Sequence, residues 1–503
     1  MACVALGGNQ MLTVEEIKTF IDNDRASTKK QLAMVGQRYY EAEHDIRNYR
    51  LFWIDDDGNV REDKHRSNIK ISHPFFTELV DQEVQYMLSG KDGFIKSDIP
   101  ELQEQLDLYF NDDEDFVSEL NEVLTGCISK GFEYAFAYKN KDDRTAFQCA
   151  DSLGVVEVKE KETDDKCEYV IFHYIDRIGK DGKKIKRIQV WDNKQTTFFC
   201  QEDDGKIELD KSVEVNPRPH VMWKEGDGPT YFKGFGFIPF FRLDNNKKQF
   251  SGLKPIKELI DDYDLMACGL SNNIQDSNET LFVVKGFDGD NLDELHFNVK
   301  TKKIIGVGED GDVETRVVDI PVVARQTKLE LDEKNIYRFG FGLNTAGLKD
   351  TSATTNIAIK SAYSLLDLKA NKLEIRLKQF MRKLLKVVLA EINERDGTDY
   401  QQKDVYFTFD REVMTNAQEN AQIELTEAQK QQVQITTMLN LATYLDDETL
   451  MQNICDILDI DYNEIKDKLP KQEESDPLAA QSALDGIQPE DEPAEPVGGD
   501  VIE

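Results

Sequence analysis

No run of 18 apolar residues occurs in the chain, so no segment reads as a membrane-spanning helix. The opening residues, MACVALGGNQMLTVEE, lack the basic start and long apolar stretch of a secretory signal. The seven cysteines, at positions 3, 127, 149, 167, 200, 268 and 455, never fall in a CxxC pair. Their scatter and odd number read as buried free thiols in a reducing compartment, consistent with assembly in a cytosol. GxxxxGK[ST], HExxH and GxSxG are all missing, as is a full dinucleotide fingerprint, and the six histidines never pair at i,i+3 or i,i+4. With no nucleophile–base constellation to defend, the chain does not read as an enzyme, and neither a cofactor nor a metal is expected. Positive charge is also scarce: 62 Lys and Arg face 97 Asp and Glu, for a net charge of −35. A protein that grips phosphate through a basic surface shows the opposite balance. The composition excludes an ordinary high-affinity nucleic-acid binder, though not a protein past which nucleic acid slides.

What is present is a chain of 503 residues, 39% hydrophobic and 9% aromatic, enough for two to four domains with real cores. Residues 12–45 carry helical periodicity, opened by Thr13 and Glu16 at capping-box spacing. Further helices read over 75–90, closed by Gly90, and over 114–129, stopped by Gly131. From Tyr134 to about Phe241 the period changes to that of strands separated by short turns. Residues 1–250 therefore read as an α+β domain with an antiparallel sheet. The basic segment 179–184 reads as a hairpin turn rather than a phosphate loop. Asp55-Asp56-Asp57-Gly58-Asn59 and Asp288-Gly289-Asp290 lack EF-hand spacing and read first as turns, with a loosely held Ca²⁺ or Mg²⁺ the lesser alternative.

The middle is organised differently. Pro255 opens a helix ending near Asn278, and Pro321 opens another to about Arg338. Between them lies an α/β patch with strands at 281–284, 303–307 and 313–318 and a short helix near 291–296. Residues 339–356, FGFGLNTAGLKDTSATTN, have three glycines and many small polar residues and read as a mobile loop. No glycine or proline then occurs from 348 to 396. A stripe through Ala362, Leu366, Ala370, Leu373, Leu377, Phe380, Leu384 and Val388 marks one helix over 357–393. At 1.5 Å per residue it spans roughly 55 Å. Its basic residues Lys360, Lys369, Lys372, Arg376, Lys378, Arg382, Lys383 and Lys386 face only Asp367, Glu374 and Glu391, so it is basic in an acidic chain. Either this basic face pairs with acidic neighbours, in this chain or an adjacent subunit, or some of the lysines face an anionic ligand. A strand at 405–409 and a polar helical region over 417–468 follow. The last 33 residues hold ten acids, one lysine and four prolines and read as a disordered acidic tail.

Several segments, in this order and spacing, resemble the portal proteins of tailed bacteriophages, the type found in siphophages of Gram-positive hosts. They are Arg38-Tyr39-Tyr40-Glu41 with His44-Asp45-Ile46, and the run Val80-Asp81-Gln82-Glu83-Val84-Gln85-Tyr86-Met87-Leu88-Ser89-Gly90. Asn216-Pro217-Arg218-Pro219-His220 and Gly236-Phe237-Ile238-Pro239-Phe240-Phe241 follow. Leu259-Ile260-Asp261-Asp262-Tyr263-Asp264, and Ala358-Ile359-Lys360 through Leu365 to Asn371, complete the set, which covers roughly 38–410.

The resemblance implies an α+β portal architecture. Residues 1–250 would be the wing, 251–278 the first stem helix, 279–318 the clip and 319–338 the second stem helix. Residues 339–356 would be the channel loop, 357–393 the long helix, 394–416 the wing's return strand, 417–470 the crown and 471–503 the tail. It implies a ring of twelve subunits, or thirteen when isolated, at one capsid vertex of the virion. Double-stranded DNA would be packaged and ejected through its channel, with a packaging terminase and a head–tail connector docking on the clip. Major capsid and scaffold proteins would be further partners, with no membrane. The DNA-contacting residues would be Asn344, Thr345, Lys349, Thr351, Ser352, Thr354, Thr355 and Asn356. Docking would fall on Asp288, Asp290, Asp293, Glu294, Lys300 and Lys302. The acidity agrees with a conduit, because each phosphate neutralised by Lys or Arg adds affinity and an acidic wall repels the duplex. The competing readings are a non-viral acidic scaffold, which would form a small oligomer without a channel, an enzyme of unrecognised class, and a monomeric DNA mimic.

Overall fold

The computed structural model of the chain describes residues 11–458 except 56, 65, 91–92, 142, 162–163, 165, 179–181, 204, 225–229, 278–280, 286–290, 292–311, 317–320, 345–355, 412–416, 443 and 446. The chain divides into two units, Met1–Met414 and Thr415–Glu503.

In the first unit, Thr13 and Glu16 form the expected capping box at the head of α1 (Val14–Ala26). The helical stretch expected over 12–45 is broken at Ser27. This residue closes α1 with an extended backbone, and its Oγ accepts the Lys30 N–H at 3.3 Å to cap α2 (Thr28–Tyr40). A hairpin follows, β1 (Phe52–Ile54) paired with β2 (Val60–Glu62). Asp55 Oδ1 accepts the N–H groups of Asp57 and Asn59 at 3.1 and 2.8 Å, and Gly58 has φ +82°, so this acidic run is a turn.

α3 (Phe75–Met87) stops before Gly90, contrary to the expectation that this glycine closes it. Gly90 instead lets the return strand approach, since a Cβ there would lie 2.6 Å from the Asp410 carbonyl oxygen. β3 (Ile95–Lys96), α4 (Pro100–Leu106) and α5 (Glu114–Lys130) come next. Asp113 caps α5 at its start, and Gly131 ends it in the left-handed region at φ +98°.

The strand-rich stretch holds β4 (Phe132–Lys139), β5 (Thr145–Ala150), β6 (Val155–Val158), β7 (Tyr169–Ile178), β8 (Lys184–Trp191), β9 (Gln195–Glu202), β10 (Glu208–Leu209), β11 (Arg218–Pro219), β12 (Val221–Lys224), β13 (Thr230–Lys233) and β14 (Phe240–Asp244). One antiparallel sheet has the order β10-β9-β8-β7-β6, with β11 also on β9, and a second has the order β14-β4-β5. Segment 179–184 joins β7 to β8, which pair antiparallel at Ile178 and Lys184.

Two helices, α6 (Lys257–Ser277) and α7 (Val322–Gly340), flank an antiparallel pair, β15 (Leu281–Lys285) with β16 (Asp312–Arg316). α6 and α7 run antiparallel: Lys328 pairs with Asp262, and Arg325 lies beside Gly269. The long helix α8 covers Asn356–Asp396, 41 residues. Of the strand expected at 405–409, only β17 (Tyr406–Phe407) forms, because its partner β3 is two residues long. The second unit contains α9 (Ala417–Asn440) and α10 (Asp447–Ile457). The short helix near 291–296, the strand at 303–307 and the tail at 471–503 lie outside the described residues.

The main core gathers the inner faces of α3, α5, α8 and the β14-β4-β5 sheet, with Phe76, Leu120, Phe147, Leu377 and Phe380 among its buried members. From Leu366 to Val388 the α8 stripe is buried throughout. Each such large side chain contributes roughly 1.5–3 kcal/mol by its burial. Two smaller cores place Ile17 against Ile171 and Phe199, and Ala33 against Phe132 and Trp191.

Candidate functional site

The place where the chain leaves α7 is held by α3. Phe341 ends α7 at φ +60°, and the Gly342 N–H donates to Tyr337 O at 2.9 Å. Gly340 and Gly342 both press on Leu79, which is 1% exposed. A Cβ at Gly342 would overlap Leu79 Cδ2. One turn on, the Gln82 amide clamps the next residue from both sides: Nε2 donates to Leu343 O at 3.0 Å and Oε1 accepts the Leu343 N–H at 2.9 Å. Tyr337 donates its hydroxyl to Glu78 at 2.6 Å, and burial together with this carboxylate pushes the phenol well up. Asn344 donates to Glu333 at 3.3 Å. Gln82→Ala removes both bonds to Leu343. The expected cost is about 1–3 kcal/mol in urea unfolding, with faster hydrogen exchange at 341–344 and unchanged secondary structure by circular dichroism.

α8 is fixed along its length by charged side chains. Lys369 pairs with the buried Glu83 of α3 at 2.8 Å. Tyr86 donates to Asp367 at 3.2 Å, and its hydroxyl is pushed up to about 12 by burial and that carboxylate. Arg411, 9% exposed, reaches Asp367 at 3.0 Å, Asn371 at 2.7 Å and also Glu374. Near the far end, Glu391 accepts from Tyr109 at 2.8 Å and the Thr145 N–H at 3.1 Å, and pairs with Lys139 at 2.9 Å. Burial raises this carboxyl, but its donors Thr145, Lys139 and Tyr109 outweigh that and hold it below the ordinary value. The basic residues of α8 divide into two groups. Lys369 and Lys378 pair with carboxylates, whereas Lys360, Lys372, Arg376, Arg382, Lys383 and Lys386 form no ion pair among the described residues.

α6 is bound to the N-terminal part of the chain by a strap. Ser67, Ile69, Ile71 and His73 donate their backbone N–H groups to Asp276, Asn272, Cys268 and Asp264 at 3.2, 2.7, 3.2 and 3.0 Å. Two residues of extended chain span about 6.7 Å and four residues of helix about 6 Å, so the two elements stay in step over four contacts. At the head of the strap, Asp264 is fully buried between two histidines. His44 Nδ1 lies 2.6 Å from Oδ2, and His73 Nδ1 lies 2.7 Å from Oδ1. Tyr39 stacks on His44 with centroids 4.5 Å apart and donates its hydroxyl to Asp261. Lys257 joins Asp261 to Asp45 at 2.7 Å each, and Arg38 pairs with Asp45 at 2.9 Å.

Of the residues expected to touch DNA, Asn344 sits at the clamped exit of α7, and Asn356 is the first residue of α8. Thr345, Lys349, Thr351, Ser352, Thr354 and Thr355 lie outside the described residues. So do Asp288, Asp290, Asp293, Glu294, Lys300 and Lys302. Sequence reasoning quoted Gln82 and Asp264 within their segments but assigned them no task. The Asp264–His44–His73 cluster joins residues 191 to 220 positions apart, which no local pattern announces. Among the described residues no group of His, Cys, Asp and Glu could hold a metal ion, and no helix is long and apolar enough to cross a membrane. Residues 345–355, small and polar in sequence, follow the clamped exit of α7 and precede α8.

The comparisons with known proteins agree with one another. The portal protein of Bacillus phage SPP1 is 27% identical over 422 residues, covering 82% of each chain. The portal protein of Clostridium phage phiCD119 is 26% identical over 431 residues, covering 82% of this chain and 89% of its own. The family model described as "Phage portal protein, SPP1 Gp6-like" matches residues 19–477. The non-viral scaffold reading finds no support in these matches. The chain thus belongs to the SPP1 Gp6-like phage portal proteins, ring-forming structural components of the virion that stand at a capsid vertex and carry the DNA channel.

Proposed function

We propose that twelve copies of the chain form a ring in which α6 and α7 build the stem and residues 345–355 reach into the channel as its DNA-contacting loop. Residues 1–250 and 394–416 form the wing, and 417–470 the crown. The patch over 279–318, which includes β15 and β16, is the clip where the packaging terminase and later the head–tail connector dock. Capsid and scaffold proteins meet the ring as it assembles in the host cytoplasm. The protein acts as a conduit and platform, and the catalytic work belongs to the motor.

The observation that carries this reading is the clamped base of the loop. Gln82 and Leu79 hold residues 340–343 against α3, so a short polar segment is presented from a rigid mount. A segment with few cations touches a passing duplex briefly, since phosphate affinity grows with each neutralised charge.

The test is deletion of residues 347–353 in the phage. The variant should assemble rings of wild-type mass by native mass spectrometry, while packaged DNA falls roughly tenfold. Wild-type packaging rate and packaged length would remove the loop from the mechanism.

A further inference from the structure

A groove of about 830 Å³ lies between the second half of α8, the β4–β5 turn and the chain at 233–241. Its chemistry runs against the rest of the molecule. Lys166, Lys383 and Lys386 line it, are exposed, and make no ion pair among the described residues. Its other lysines are already committed, Lys139 to Glu391 at 2.9 Å and Lys233 to Glu394 at 2.6 Å. Beneath these charges is an aromatic floor of Phe235, Phe237 and Phe241, with Phe237 39% exposed.

We propose that this groove binds an acidic, amphipathic polypeptide segment of a partner protein. Three uncommitted lysines around an apolar floor match a ligand that carries carboxylates on one side and large apolar side chains on the other. Lys383 and Lys386 stand one helical turn apart on α8, so two carboxylates of one short segment reach both. The volume lies in the range of ligand-binding clefts. A nucleic-acid duplex is the poorer match, because its outward face of phosphates offers nothing apolar to the phenylalanine floor.

The test uses assembled rings of the full chain and a fluorescently labelled peptide alternating Glu with Leu and Phe, followed by anisotropy. The expected result is saturable binding that weakens with added salt. Lys383→Glu with Lys386→Glu should weaken it roughly tenfold or more. Phe237→Ala should weaken it while leaving the salt dependence in place. All three sites are exposed, and ring formation by native mass spectrometry verifies that the variants assemble. Equal binding of a polyglutamate of the same charge would reduce the groove to a counter-ion site and overturn the proposal. Displacement of the peptide by duplex DNA, undiminished binding by the lysine variants, or no binding to wild-type rings would overturn it as well.

Discussion

Asp264→Ala is expected to lower the unfolding free energy of the first unit by about 3–5 kcal/mol, because a fully buried carboxylate is lost and its three donors are left without an acceptor. The substitution strips His44 Nδ1, His73 Nδ1 and the His73 N–H of their shared acceptor at once. It also opens the head of the strap, so residues 67–73 should exchange amide hydrogens faster, with α6 following from Asp264 toward Asp276. Asp264→Asn keeps one acceptor oxygen and should cost less, about 1–3 kcal/mol. The measurement is urea unfolding combined with hydrogen exchange, and protection at 67–73 equal to wild type would show that the strap does not depend on this carboxylate. The pH dependence has a defined sign. Burial raises the Asp264 carboxyl, but hydrogen bonds from His44 and His73 outweigh it, and the folded value lies below the ordinary 3.8. A depressed carboxyl contributes stability that is fully present above 3.8 and is lost as the pH falls through the folded value. The acid limb of the wild-type stability curve should therefore flatten in Asp264→Ala.

Gly342→Val carries the second large effect. The new side chain overlaps Leu79, which is 1% exposed. Overpacking of this kind costs about 1–3 kcal/mol and shifts backbone. Here the backbone that shifts bears the Gln82 clamp on Leu343, so the mount of the proposed channel loop moves while the ring contacts elsewhere stay. Packaged DNA should fall roughly tenfold in the variant phage. Leu79→Ala alone costs about 2–5 kcal/mol through the cavity it leaves. Combining the two fills that cavity with the valine, and the double mutant should recover about 1–3 kcal/mol relative to the sum. A strictly additive cycle would mean that the close approach of Gly342 to Leu79 does not set the position of the loop base.

The elements read best from the sequence were those whose signal is local. The α8 stripe repeats every three or four residues without a glycine or proline, and a helix is the only conformation that puts those residues on one face. The Thr13–Glu16 box and the left-handed Gly131 are likewise short-range chemistry, and both are found where the residues placed them. Ser27 was misread although its signal is local: its hydroxyl caps the second helix through the Lys30 N–H. The other misreadings arose where a remote neighbour decides. Gly90 looked like a helix stop, but what requires a glycine there is the approach of Asp410, 320 positions on. β17 is short because its partner strand is short, which the residues at 405–409 cannot disclose.

The site divides along the same line. Composition and order alone determined an acidic, portal-like chain with a polar loop ahead of a long basic helix, because charge balance and helical period are properties of residues in succession. Tertiary structure decided what holds the base of that loop, Gln82 on Leu343 and Leu79 under two glycines, and what holds α6, Asp264 between His44 and His73. Each of these contacts joins residues some two hundred or more positions apart. A buried carboxylate or an overlapped Cβ exists only once the chain has brought both partners out of water into one place.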